Sequence, residues 1–349
     1  MRLKTSHVLL MTGLLTSVWI APLLASDRLR IKNIAGGDKA VVVIDSRVSA
    51  GPNGCRNGEV LRTTGELAIR NVLAASGCNS EIAVFAAQNA MALSTPTWTD
   101  SDGDIQTITM QPLIDVPVSI WIVNAGAVAR APEDIANANL IYSKNKAGVK
   151  FVPTVHDVSR NPTAAATIGN SCDAIGAIRR TASLDGNLLP LYTPKTLNIY
   201  YVDEVKPPPE LGLPSGSTLR GLTCDHFGDG HLKGDANILF IASSANRTTL
   251  AHEIGHAFGL RPGNQGGHPE DAAGKPLPGF DERNLMWSGG GDERNHLTLG
   301  QVFRMNTQAD EWGGTMLIAN GLRQGPGRAC PPMTESKICP PLALDWKRP

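Results

Sequence analysis

Short, nearly continuous apolar runs alternate with amphipathic stretches through the middle of this chain. Val116 to Asn124 (Val-Pro-Val-Ser-Ile-Trp-Ile-Val-Asn) reads as a buried strand. A helix is predicted from Ala131 to about Asn145. Its apolar positions are Ile135, Ala138, Leu140, Ile141 and Tyr142, with Pro132 in the first turn. Gly148–Val152 and Leu197–Val202 read as further strands, Leu219–Thr223 as a short edge strand, and Asn237–Ala242 as the strand beside a cleft. Ser243, Ser244, Asn246, Thr248 and Thr249 then offer caps for a helix start. Near the end, Thr298 and Gln301 have capping-box spacing, predicting a helix through Asn306. Before residue 112 the pattern is weaker. Lys39–Asp45 reads as a strand and Gly65–Leu73 as a helix.

Chemistry concentrates in His252-Glu253-Ile254-Gly255-His256-Ala257-Phe258-Gly259. Residues four apart share a helix face, so His252 and His256 can offer imidazole nitrogens to one zinc ion. Glu253 stands beside the first ligand, where a carboxylate can take a proton from metal-bound water. Zinc lowers the pKa of such a water to roughly 7. A hydrolytic zinc site needs a third protein ligand and one open position. Gly259 suits a left-handed turn that ends the helix. Beyond it, Leu260 to Gly267 is a glycine-containing insert with Pro262, followed by His268. His268 is the expected third ligand; Glu270 and Asp271 are the nearby alternatives. A loop histidine without a metal role stays open as well.

The order of zinc helix, glycine, loop histidine, Asn284-Leu285-Met286-Trp287 and capped helix resembles the metzincin metallopeptidases. The resemblance covers about Pro112 to Leu322 and is specific from His252 to Met305. It departs from the family's simplest pattern, which has histidine where this chain has Pro262. The resemblance implies an α+β catalytic domain with a mixed twisted sheet, a long zinc-binding helix and a C-terminal helix. It implies one catalytic Zn2+ held by His252, His256 and His268, Glu253 as general base, and Met286 in a turn beneath the metal. It also implies an extended peptide substrate bound along the sheet edge. Trp287 and the Arg261–Gly267 loop are expected to help form the substrate pocket.

The start of the chain adds a compartment. Arg2 and Lys4 precede a mostly apolar stretch, Val8 to Leu24, closed by Ala25 and Ser26. This reads as a secretory signal peptide over 1–26. Thr12, Gly13, Thr16, Ser17 and Pro22 interrupt the core, which favours cleavage over anchoring. Six cysteines, Cys55, Cys78, Cys172, Cys224, Cys330 and Cys339, suit an oxidising compartment. Pairing of sequence neighbours is expected. The alternative, by analogy with latent metzincins, is Cys55 or Cys78 occupying the zinc.

Residues 27–111 are expected to form a pro-segment or accessory domain, 112–322 the zinc peptidase domain, and 323–349 a Pro- and Cys-containing tail. Ser94 to Gly103 is a polar candidate for the first boundary. Lysine plus arginine and aspartate plus glutamate both total 32, which gives no case for a nucleic-acid partner. No apolar stretch after the leader is long enough to span a bilayer, so no stable membrane insertion is expected. Cys224, Asp225, His226, Asp229, His231 and Asp235 cluster before a strand. They suggest an additional structural metal or, as readily, a polar turn. His156 and His296 are assigned no role. The expectation is a secreted or periplasmic zinc endopeptidase acting on protein or peptide substrates. Its rivals are a site with Glu270 as third ligand and a non-catalytic binding protein on the same fold.

Overall fold

The computed structural model describes residues 28–32, 40–45, 59–63, 66–68, 80–85, 90–92, 97–98, 105–181, 190–224, 237–262, 266–307, 316–319 and 321–322. The predicted leader, the stretch 225–236 and the tail 323–349 lie outside them, as do Cys55, Cys78, Cys330 and Cys339.

Strand pairing separates two sheets. The first contains β1 (Arg28–Lys32), β2 (Ala40–Asp45), β3 (Glu59–Thr63), β4 (Glu66–Ala68), β5 (Ser80–Phe85), β6 (Ala90–Ala92), β7 (Thr97–Trp98) and β8 (Ile105–Pro112). Its order is β3-β2-β5-β6-β8-β1-β4, with β7 on β5. The strand expected at Lys39–Asp45 is β2. The helix expected over Gly65–Leu73 is not formed at Glu66–Ala68, which pair antiparallel with β1. Pairing with a distant strand outweighs local helical preference there; the rest of that stretch lies outside the described residues. Ser94–Gly103 contains β7, which pairs with β5 of this first sheet, and the change of sheet comes at Leu113.

The second sheet contains β9 (Ile114–Ile122), β10 (Val149–Asp157), β11 (Leu197–Val202), β12 (Gly221–Thr223) and β13 (Ile238–Ala242), in the order β10-β9-β11-β13-β12. All neighbours are parallel except β12, the antiparallel edge. Every residue of β11 and β13 is buried, as continuous apolar runs in a parallel sheet covered on both faces require. The period of two is visible in the core. Ile120, Ile122, Tyr201, Leu239 and Ile241 face one layer, while Trp121, Tyr200 and Phe240 face the other.

On the first face lie α1 (Arg130–Lys144), α4 (Thr249–Ala257), α5 (Leu299–Thr307) and α6 (Met316–Ala319). On the second lie α2 (Pro162–Ile168) and α3 (Ile175–Arg180), short helices that the apolar pattern did not announce. The Cys172–Cys224 disulfide, one of the expected neighbour pairs, joins that second layer to the end of β12. β10 runs beyond the expected Val152 because its second half is a solvent-facing edge without the apolar signal. The architecture is thus mixed α/β with a mostly parallel five-stranded sheet. No helix among the described residues is long and apolar enough to cross a membrane.

The capping box forms as predicted. Gln301 N donates to Thr298 Oγ1 at 3.1 Å, and Thr298 N donates to Gln301 Oε1 at 2.9 Å. Thr298→Ala is expected to cost about 1 kcal/mol of stability, the usual loss for removing an N-cap hydroxyl. A denaturant-unfolding midpoint unchanged within error would show that the cap contributes nothing here.

Candidate metal centre

α4 carries the motif. Asn246 anchors its entry: its Oδ1 accepts from Thr248 N and Thr249 Oγ1 at 3.2 and 2.8 Å. Gly259 ends it with φ +84°. Gly259 N donates to His256 O at 2.8 Å, and Leu260 N to Gly255 O at 3.0 Å. These are the two bonds of a Schellman ending, for which a left-handed glycine is best suited.

His252 and His256 lie on one helix face, with their Nε2 atoms 3.1 Å apart. Past the turn the chain reverses, and His268 N donates to Met286 O at 2.9 Å. This carries the His268 ring to 5.4 and 5.0 Å, between centroids, from those of His252 and His256. The three residues offer ligand atoms that all lie within 4.8 Å of one another, a group able to hold a metal ion. His268 does so at φ +49°, a left-handed backbone uncommon for a side-chain-bearing residue.

The donor chemistry fits a metal. His252 Nδ1 lies 2.8 Å from Leu285 O, and His256 Nδ1 2.6 Å from Leu260 O. A carbonyl only accepts, so each Nδ1 carries a hydrogen, and in the neutral ring Nε2 is the nitrogen whose lone pair a metal would take. Burial pushes the His252 imidazole well below its ordinary value, aided by the positive Arg294 and by His268 and opposed by the Leu285 carbonyl. Burial also lowers His268, against the pull of Glu270. Neutral imidazole is the form that binds metal.

Arg294 Nη1 approaches His252 Nδ1 at 3.2 Å, but both are donors, so its proton goes to Trp287 O at 2.5 Å. The guanidinium therefore acts on His252 as a nearby charge.

Met286 packs against α4 at Gly255. A Cβ built on Gly255 would lie 2.3 Å from Met286 Sδ, so the sulfur occupies space that a larger residue would need. Glycine costs a helix about 1 kcal/mol relative to alanine; its presence here follows from this close approach.

Glu253 is buried, 6 % exposed, against the edge strand. Thr223 Oγ1 lies 2.8 Å from Glu253 Oε2, and a Cβ on Gly221 would lie 2.7 Å from Glu253 Cγ. The carboxylate, His252, His256 and His268 line one cleft of about 520 Å³.

The alternative ligands stand apart. Asp271 Oδ1 accepts from Ala273 N and Lys275 N, both at 2.9 Å, closing a surface turn. Neither Glu270 nor Asp271 joins the histidine group. Pro262 borders the cleft, whereas Trp287 does not: its ring packs behind Gly289, and Gly289 forms the wall. Cys224 is in a disulfide, and the rest of the suggested second metal cluster lies outside the described residues. His156 stacks on Trp121 with centroids 4.1 Å apart, away from the centre.

Sequence reading passed over three residues that position the site: Gly221, Thr223 and Arg294. Asn284, which the sequence placed in the turn with Met286, accepts at Oδ1 from Met286 N at 3.0 Å and shapes that turn. None of the other three had a visible signal. No protein-family model, curated protein or solved structure matches this chain.

Losing a hydrogen-bond partner behind a metal ligand typically costs about 10–100-fold in affinity. His268→Ala is therefore expected to weaken metal binding by more than about 100-fold, and Asp271→Ala to leave it unchanged. Competition with a chromophoric chelator measures both. Wild-type affinity in folded His268→Ala would remove His268 from the ligand set.

Proposed function

We propose that this chain is a secreted zinc-dependent endopeptidase of metzincin type. The observation that carries the reading is the meeting of three imidazoles and one buried carboxylate in a cleft bordered by β12, the edge strand of its sheet among the described residues.

His252, His256 and His268 would hold the zinc. Two nitrogens 2.0–2.1 Å from a tetrahedral ion stand about 3.3 Å apart, close to the 3.1 Å between the Nε2 atoms of His252 and His256. No fourth His, Cys, Asp or Glu joins the group among the described residues, which suits a hydrolytic site with an open position. When bound, zinc supplies Lewis acidity and makes water ionisable near neutral pH.

The remaining work falls to the chain. Among the described residues β12 pairs only with β13, so its outer edge can take an extended peptide by strand addition. That places a scissile carbonyl over α4. Thr223 Oγ1 packs against Glu253 at Oε2, and the Glu253 carboxylate would receive the proton of the attacking water. Glu253 then delivers that proton to the departing amine nitrogen. Met286 packs under the helix and moves no proton. Secretion is supported by the signal-like residues 1–26 and by the Cys172–Cys224 disulfide.

Glu253→Gln should retain zinc and lose at least about 100-fold in peptide hydrolysis, the usual scale for acid–base help. Chelation of the wild-type protein should abolish cleavage, and added zinc restore it. Near-normal turnover by a zinc-loaded, contaminant-free Glu253→Gln protein would refute the mechanism.

A further inference from the structure

Two arginines face the same cleft as the metal group, and neither forms a direct ion pair with a described residue. Arg294 is 5 % exposed. Its Nη1 donates to Trp287 O at 2.5 Å, its Nε to Gly291 O at 3.4 Å and its Nη2 to Thr248 Oγ1 at 3.4 Å. All three acceptors are uncharged. Glu253, Asp292 and Glu270 act on its charge only through space, and Arg220 does so with the opposite sign.

Arg220 precedes the edge strand. A Cβ built on Gly290 would lie 3.0 Å from Arg220 Nη1, so the side chain reaches from the strand to the 288–291 segment on the opposite wall. Arg220 is exposed; its backbone carbonyl accepts from Ala242 N at 2.9 Å, and its guanidinium forms no hydrogen bond or ion pair with a described residue. Its donors are therefore available to a ligand in the cleft.

We propose that Arg220, backed by the fixed charge of Arg294, selects peptides that carry an acidic side chain beside the scissile bond. This rests on the endopeptidase reading given above. A peptide lying along β12 must place one side chain between the strand and the 288–291 wall, where Arg220 stands. Guanidinium binds carboxylate through two parallel N–H donors, a geometry that glutamine or a hydrophobic side chain cannot match. The burial of Arg294 between neutral acceptors keeps a positive field in that wall. It also ties the wall to the start of α4 through Thr248, whose own hydroxyl donates to Gly291 O at 2.8 Å. Charge-assisted hydrogen bonds of this kind are worth about 10–100-fold in selectivity.

The test uses the full-length, zinc-loaded protein on a mixed peptide library with amidated C-termini, read by mass spectrometry. The expected profile has Asp or Glu enriched at one position adjoining the cleaved bond. Arg220→Glu is expected to reverse that preference by at least tenfold in kcat/KM, toward Lys or Arg. A profile indifferent to charge, a preference unmoved in Arg220→Glu, or cleavage that requires a free C-terminal carboxylate would each overturn the proposal.

A second arm needs no turnover. Fluorescently labelled, amidated peptide pools that differ only by Glu or Gln at a central position are titrated into zinc-loaded wild-type and Arg220→Ala protein. At least tenfold tighter binding of the Glu pool, lost in Arg220→Ala, supports the proposal. Equal binding of the two pools, or none, overturns it. Selective binding without any hydrolysis would instead retain the acidic recognition and refute the endopeptidase reading.

Discussion

One buried carboxamide, that of Gln301, ties together three segments that the metal centre needs and that lie far apart in the chain. Its Oε1 accepts from Asn284 Nδ2 at 2.9 Å and from Thr298 N at 2.9 Å. Its Nε2 donates to Gly266 O at 2.7 Å and to Asn284 Oδ1 at 3.1 Å. Gly266 lies two residues before His268, and Asn284 shapes the turn that carries Met286. Thr298 starts the helix that covers them. The side chain is fully buried, where an unmet polar group costs about 1–3 kcal/mol. The three segments therefore hold position together, and the left-handed backbone of His268 is sustained by the surroundings.

The same constraint organises the electrostatics. A short helix presents two imidazoles, and backbone carbonyls from Leu285 and Leu260 fix which nitrogen of each is free. Those carbonyls come from the helix ending and from the turn over Met286, so the geometry of the turns decides the chemistry of the donors. Burial and the charge of Arg294 keep His252 neutral before any metal arrives. On the other side, the edge strand closes on Glu253 because Gly221 has no side chain to hold it off. Thr223, two residues on, then reaches the carboxylate. The histidine group and Glu253 thus depend on different elements, which meet at the cleft.

Much of the layer that carries the histidine group was legible. β11 and β13 are unbroken apolar runs, α1 has a clear helical period, and the spacing of His252 and His256 places both on one face. The capping box at Thr298 marked α5, and Gly259 marked the end of α4. α2 and α3 went unread because they are short; for α2 the signal was an Asn161-Pro162 start, where Asn161 Oδ1 accepts from Ala164 N at 3.0 Å. Glu66–Ala68 was misread because a distant partner strand decides its conformation. His268 could be proposed but not placed, since its position depends on Met286 and Gln301 rather than on its neighbours in the chain. Thr223 and Arg294 carry no local signature at all; only the packing of the edge strand and the wall gives them a role.

X-ray absorption at the zinc edge of the loaded protein tests the central claim most directly. The account predicts a four-coordinate ion with three imidazole nitrogens at ~2.0–2.1 Å and one further light-atom ligand. A spectrum showing two imidazoles, a sulfur ligand, or a scattering pattern unchanged by His268→Ala would contradict it.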